Sequence, residues 1–170
     1  MTDRAEKLPV RALLGTIVFV AVVPATVIVL IPRWLTRWQI GPPLLGTSLT
    51  RWLGALLVVA ATPLFVSFSS RFVWEGRGTP APIAPTERLV VGGPFRWVRN
   101  PGYVAVIAML VGEGLFFASP AVLVYAGVVA VGFHLFVIAY EEPTLRDTYG
   151  REYDDYCRRV PRWLPRRPVK

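Results

Sequence analysis

A chain of 170 residues suffices for one compact domain, but 54% hydrophobic residues and a mean hydropathy of +0.47 are too apolar for an ordinary water-soluble one. A membrane is the expected solvent. The net charge of +8 does not point to nucleic acid, because the arginines stand at the ends of apolar runs and not along one polar face; the single cysteine, Cys157, excludes an internal disulfide and, with no His or Cys beside it, offers no metal site.

The first uncharged run, Ala12 to Ile31, matches the roughly 20 residues needed to cross about 30 Å of hydrocarbon at 1.5 Å per residue. It is longer than the apolar core of a secretory signal and no small-residue cleavage site follows, so it reads as a retained anchor, kinked at Pro24. Arg33-Trp34-Leu35-Thr36-Arg37-Trp38 mixes indoles with guanidinium groups, which suits the headgroup region and ends the span. The second expected span, Trp52 to Phe68, is again uncharged and is broken by Pro63. From Arg71 to Arg99 the density of glycine and proline is incompatible with a continuous helix, and a loop this long in a small protein is usually functional.

Two apolar runs follow, Gly102 to Phe117 and Ala121 to Tyr140, joined only by Ala118-Ser119-Pro120, so they form an antiparallel hairpin. Glu113, the one acid well inside an apolar run, is expected near the far interface, where it reaches water. Beyond Tyr140, the residues Leu145, Tyr149, Tyr153, Tyr156 and Val160 recur at helical spacing between arginines and aspartates, as on an amphipathic helix lying against the membrane or the loop; Pro161, Pro165 and Pro168 end it. The expected fold is all-α and integral to the membrane: a single domain over 1–170, with two N-terminal spans in 1–70, then a loop, a helical hairpin and a C-terminal cytoplasmic helix in 71–170. Arg4, Lys7, Arg11, the loop arginines and the tail share one side and only Arg33, Arg37 and Arg51 the other, which places both termini in the cytoplasm.

In this topology Arg99-Asn100-Pro101-Gly102-Tyr103 and Glu141-Glu142 mark the two cytoplasmic ends of one hairpin and become neighbours. Asn100 is expected to cap the helix that Pro101 starts, and the free N–H groups there, with Arg99 alongside, can hold a ligand carboxylate. Glu141 and Glu142 can hold amines or ribose hydroxyls, or can simply be a solvated helix end. His134, seven residues before Glu141, falls on nearly the same helix face, within reach of an acceptor arriving from the bilayer; a histidine bonded inside the bundle explains it equally well.

The run Leu89-Val90-Val91-Gly92-Gly93-Pro94-Phe95-Arg96-Trp97-Val98-Arg99-Asn100-Pro101-Gly102-Tyr103 is followed, after the hairpin, by Glu141-Glu142-Pro143 through Tyr156 and by Val160-Pro161-Arg162-Trp163-Leu164-Pro165. Together these resemble the isoprenylcysteine carboxyl methyltransferase family, a relative of the phospholipid methyltransferases, over the second half of the chain. The resemblance implies S-adenosyl-L-methionine as cofactor, bound at Leu89, Val90, Phe95, Asn100, Pro101, Gly102, Tyr103, Glu141 and Glu142, with Arg99, Glu141 and His134 as candidate catalytic residues. One position departs from the family pattern, Asn100 standing where many members have His. Methyl transfer from a sulfonium is an in-line displacement with an activated leaving group, so alignment and exclusion of water suffice and no triad is needed.

The expected function is therefore methyl transfer to a lipid-like or small apolar acceptor, a carboxylate, amine or thiol, at the cytoplasmic face. The Gly76 to Pro94 loop would close over the donor, and Val104, Val137 and Ile138 would line the acceptor's opening to the lipid. The Arg-, Ala-, Val- and Gly-rich composition points to a bacterial inner membrane. The competing reading is a non-catalytic module whose basic face binds anionic lipid or a partner protein.

Overall fold

The computed structural model describes residues 22–74 and 89–167, and every described element is helical. The first half of the expected anchor, 12–21, and most of the Gly/Pro-rich loop, 75–88, lie outside the described residues, as do Arg4, Lys7 and Arg11. The elements are α1 (Val22–Thr36), α2 (Leu49–Trp74), α3 (Pro101–Phe116), α4 (Pro120–Tyr149) and α5 (Arg151–Arg159), with short 3-10 turns at Leu44–Gly46 and Gly93–Arg96.

Two of these helices are long and apolar enough to cross a membrane, over Leu49–Arg71 and Pro120–Tyr149, and α1 and α3 are shorter apolar helices. Only 17% of each long apolar window is buried inside the protein, so side chains such as Leu56, Val59, Val66, Val124, Val128 and Leu135 point outward. An apolar surface of that extent is costly in water and suits hydrocarbon.

Prolines shape the helices in different ways. Pro63 does not break α2, which runs unbroken from Leu49 to Trp74 and so exceeds the expected second span at both ends. A single proline deprives the helix of one donor, and the ladder resumes on either side. Pro32 and Pro143, by contrast, each follow a π-helical stretch, Ala25–Leu30 in α1 and Val137–Glu141 in α4. Neither proline can donate to the carbonyl four residues back, and a turn widened to i→i−5 bonding, such as Glu142 N–H to Val137 O, absorbs the misfit. Helix α1 continues past Ile31 to Thr36, ending where Arg37 and Trp38 turn left-handed at φ 50° and 59°.

Helices α2 and α3 pack at very short range: a Cβ on Gly54 would lie 2.4 Å from the Gly112 carbonyl oxygen, and one on Gly112 would lie 2.7 Å from that of Gly54. At the far end of the hairpin, Ala118 turns with φ 53°, Ser119 Oγ accepts from Val122 N–H at 3.3 Å, and Pro120 starts α4. Gly41 N–H donates to Phe117 O at 3.0 Å, tying the α1–α2 connection to this end. Glu113 stands one turn from it, as expected, but its Oε2 is buried and has no hydrogen-bond partner among the described residues.

The opposite end gathers the C-terminus of α2, residues 89–100, the end of α4, and α5. The expected single amphipathic helix is not seen: Gly150, at φ 53°, divides its residues between the end of α4 and α5. Tyr153, Tyr156 and Val160 join Val90 and Phe95 in a buried cluster against which Leu145 and Tyr149 pack.

Candidate functional site

The start of α3 is built against the tail that follows α5. Pro101, locked near the helical φ and without an N–H to waste, begins the helix, and Val104 N–H to Asn100 O is its first backbone bond. The N–H groups of Gly102 and Tyr103 precede that bond. Asn100 does not cap them: its side chain makes no capping bond, and Nδ2 donates instead to Arg162 O at 3.1 Å. The reason is the tail itself, which lies beside residues 97–100 and also accepts Arg99 N–H at Pro161 O, 2.8 Å, while Arg166 N–H donates to Trp97 O at 2.9 Å.

The two acids at the end of α4 have separate partners. Glu142 is buried and accepts from Arg162 through both oxygens, at 2.6 and 2.9 Å, and it pairs with Arg99 Nη1 at 3.0 Å. That bidentate, charge-assisted geometry clamps the tail to the helix and holds the Arg162 guanidinium more firmly protonated than an isolated one. Glu141 makes one bond of a different kind, accepting from the Tyr103 hydroxyl at 2.8 Å. Arg99 Nη1 also donates to Cys157 Sγ at 2.8 Å, whereas its Nε is buried with no partner among the described residues. Below them Tyr156 donates to Phe95 O at 2.8 Å, and burial pushes the Tyr153 and Tyr156 phenols well above their ordinary range.

These residues separate two cavities. A small one of about 80 Å³ is lined by Leu89, Val90, Phe95, Arg99, Asn100, Val137, Glu141 and Glu142 with Tyr153 and Tyr156. A larger one of about 490 Å³ lies among the apolar helices and is walled mostly by Phe65, Phe68, Val106, Val129 and Phe133, with Tyr103 stacked on Phe133 at 4.5 Å between ring centroids. Phe95, Arg99, Asn100 and Glu141 line both. Of the residues singled out in the sequence, Leu89, Val90, Phe95, Arg99, Asn100, Glu141 and Glu142 meet in the small cavity, and Gly102 and Tyr103 line the large one. Pro101 is fully buried in the helix start.

His134 is the exception. It does not share Glu141's face: it lines a separate apolar groove with Leu57, Val104, Ile107 and Trp163, where its Nδ1 accepts from the Trp163 indole at 3.1 Å. The π-helical turn at Val137–Glu141 lies between the two residues, and one added residue per turn shifts helix phase by about 100°. The expected lipid-side residues do not share one opening: Val104, on α3, lines His134's groove, Val137 is buried against the small cavity, and Ile138 is exposed. Arg162 and Cys157 acquire partners that the sequence did not assign. An available signal for Arg162 was its position between two prolines in the basic tail, with two adjacent acids at the end of the preceding apolar run.

Residues 49–152 match the family model described as phospholipid methyltransferase, and the chain belongs to that family. Over 78 residues it is 35% identical to a probable protein-S-isoprenylcysteine O-methyltransferase of Oryza sativa subsp. indica, covering 46% of this chain and 41% of the relative. It is 32% identical over 78 residues to protein-S-isoprenylcysteine O-methyltransferase B of Arabidopsis thaliana, covering 46% and 40%. The matched stretch thus spans about two fifths of the length of these relatives.

Proposed function

We propose that this chain is an S-adenosyl-L-methionine-dependent methyltransferase acting on a lipid-like or small apolar acceptor, with α1 to α4 as four membrane spans and the two cavities in the cytoplasmic half. The observation that carries this reading is the shared wall: a small cavity that holds Arg99, Asn100, Glu141 and Glu142 among apolar side chains and a larger, almost wholly apolar one are both lined by Phe95, Arg99, Asn100 and Glu141. A water-soluble cation and a hydrocarbon-borne nucleophile need such a pair of compartments with one meeting point. Membership of the phospholipid methyltransferase family and the likeness to plant isoprenylcysteine O-methyltransferases support the same chemistry.

The polar groups at the shared wall fit the amino-acid end of the cofactor, whose whole bulk exceeds the small cavity of about 80 Å³. The orphaned Nε of Arg99 and the N–H groups of Gly102 and Tyr103 at the start of α3 suit a carboxylate, and Glu141 suits an ammonium or ribose hydroxyls. When bound, the cofactor supplies an electrophilic methyl on sulfur. The chain's part is to orient and to dry the meeting point: Tyr103, fixed by Glu141 and by Phe133, holds the wall of the acceptor cavity, and Phe68 and Phe95 keep water from it. A carboxylate or thiolate acceptor needs no base there. The basic residues support the orientation, since Arg96, Arg99, Arg146, Arg151, Arg158, Arg159, Arg162 and Arg166 lie at the site end and Arg33, Arg37 and Arg51 at the other; a bacterial inner membrane is the proposed location.

Calorimetric titration of detergent-purified protein with S-adenosylhomocysteine, followed by transfer of labelled methyl into a lipid extract and a panel of thiols, tests the reading. Saturable binding and a labelled apolar product are expected. No binding, with co-sedimentation on anionic vesicles retained, would replace the enzyme by a lipid-binding module.

A further inference from the structure

On α4 the apolar cavity has one wall position without a side chain. Gly132 of α4 lines it between Val129 and Phe136, and a Cβ built there meets no described atom within 4 Å. The neighbouring wall glycine, Gly102, is different in kind: its Cβ would lie 2.6 Å from the Phe68 ring, so close packing requires it. Among the described residues no such packing requires Gly132, and a glycine within a helix is otherwise a conformational liability. Across the cavity stand Val23, Pro24 and Val27 of α1, and α1 and α4 are joined where the Tyr125 hydroxyl donates to Val27 O at 3.2 Å. Successive turns of α4 from Tyr125 therefore lead from a closed contact to a wall whose side chain is missing.

We propose that Gly132 is a specificity-determining residue that sets how long a hydrocarbon chain the apolar cavity accepts, the chain passing beside Gly132 between α1 and α4. The occupant is a single acyl or prenyl chain, because the cavity is about 490 Å³, within the range of pockets that enclose one small ligand, and its lining is apolar except at the wall shared with the polar site. This rests on the methyltransferase reading for the identity of the acceptor, although chain binding itself needs no turnover. Gly127 provides an internal control: it lies on the same helix, an added Cβ there also meets nothing within 4 Å, and it does not line the cavity.

The test uses N-acetyl-S-geranyl-, S-farnesyl- and S-geranylgeranyl-cysteine, whose chains differ in length under one headgroup, titrated calorimetrically into the detergent-purified full chain. Gly132→Leu should weaken binding of the longest probe at least tenfold and the shortest less than threefold. Gly132→Ala should fall between it and wild type, and Gly127→Leu should leave all three unchanged. S-adenosylhomocysteine affinity, measured on every variant, should stay within twofold and certifies folding. Equal binding of all three probes to wild type and Gly132→Leu, an equal loss in Gly127→Leu, or no binding of any probe to wild type overturns the proposal. Chain binding that follows this pattern without S-adenosylhomocysteine binding would sink the methyltransferase reading and leave the role of Gly132 standing.

Discussion

Glu141 and Glu142 are adjacent, yet one bonds Tyr103 and the other two arginines, and on the proposed reading neutralising each in turn separates ligand from fold. In Glu142→Gln, Arg99 and Arg162, with side chains 13% and 34% exposed, lose the carboxylate that both of them contact. Breaking a buried pair by removing one partner costs about 3–5 kcal/mol; because water reaches part of Arg162, about 2–3 kcal/mol is expected here. In Glu141→Gln the amide oxygen still accepts from Tyr103, so the stability cost should stay below about 1 kcal/mol. Losing a charged acceptor for an ammonium or hydroxyl is worth about 1.5–3 kcal/mol, or roughly tenfold to hundredfold in affinity for S-adenosylhomocysteine. Denaturant melts in detergent, followed by tryptophan fluorescence, measure the first quantity and titration calorimetry the second. If Glu142→Gln melts like wild type, or if both variants lose affinity equally, the division between a clamp and a binding carboxylate is wrong.

Asn100→Ala should cost about 1 kcal/mol in the same melts, through the lost bond to Arg162 O and not through a lost cap, and Asn100→His should recover binding of S-adenosylhomocysteine in calorimetry. Tyr156→Phe removes the buried hydrogen bond from Tyr156 to the Phe95 carbonyl and should destabilise by about 1 kcal/mol, read as a lower melting midpoint. Gly54→Ala drives a methyl into the α3 backbone and should destabilise by about 1–3 kcal/mol or more, visible as aggregation on size exclusion, whereas Gly46→Ala, with open space around it but φ 67°, should show only local backbone strain. Trp163→Phe should leave S-adenosylhomocysteine affinity unchanged, because its indole bonds His134 on the other face of α4; a tenfold loss would place that face in the site.

Much of this arrangement is legible in the sequence. The apolar runs give the helices because hydropathy reports the surrounding solvent, and the hairpin through Ala118-Ser119-Pro120 follows from a connection too short for anything else. The strip from Leu145 to Val160 keeps its helical spacing closely enough to pack as one surface across the turn at Gly150. What misleads is phase. Counting seven residues from His134 to Glu141 assumes a regular helix, and Pro143, visible in the sequence, alters the turn before it without revealing whether the chain kinks, breaks or widens. Pro63, chemically identical, leaves α2 continuous. Asn100 misleads differently: its type and position are those of a cap, and only the nearby tail, 62 residues on, offers its amide a better acceptor. Pairings at that separation depend on tertiary placement, which local pattern does not encode.

Because residues 161–166 supply the carbonyls, the N–H and the guanidinium that hold the start of α3, the wall between the cavities depends on a stretch of chain synthesised after every helix it braces. A ribosome-bound intermediate stalled before Pro161 would already contain all four apolar helices, yet Trp97, Arg99 and Asn100 would lack the bonds the tail supplies and Glu142 its bidentate arginine. Insertion and site completion are thus separable events in time, and the second is local. A peptide spanning the tail, supplied in trans to a chain ending at Val160, is the form in which that last step could be observed alone.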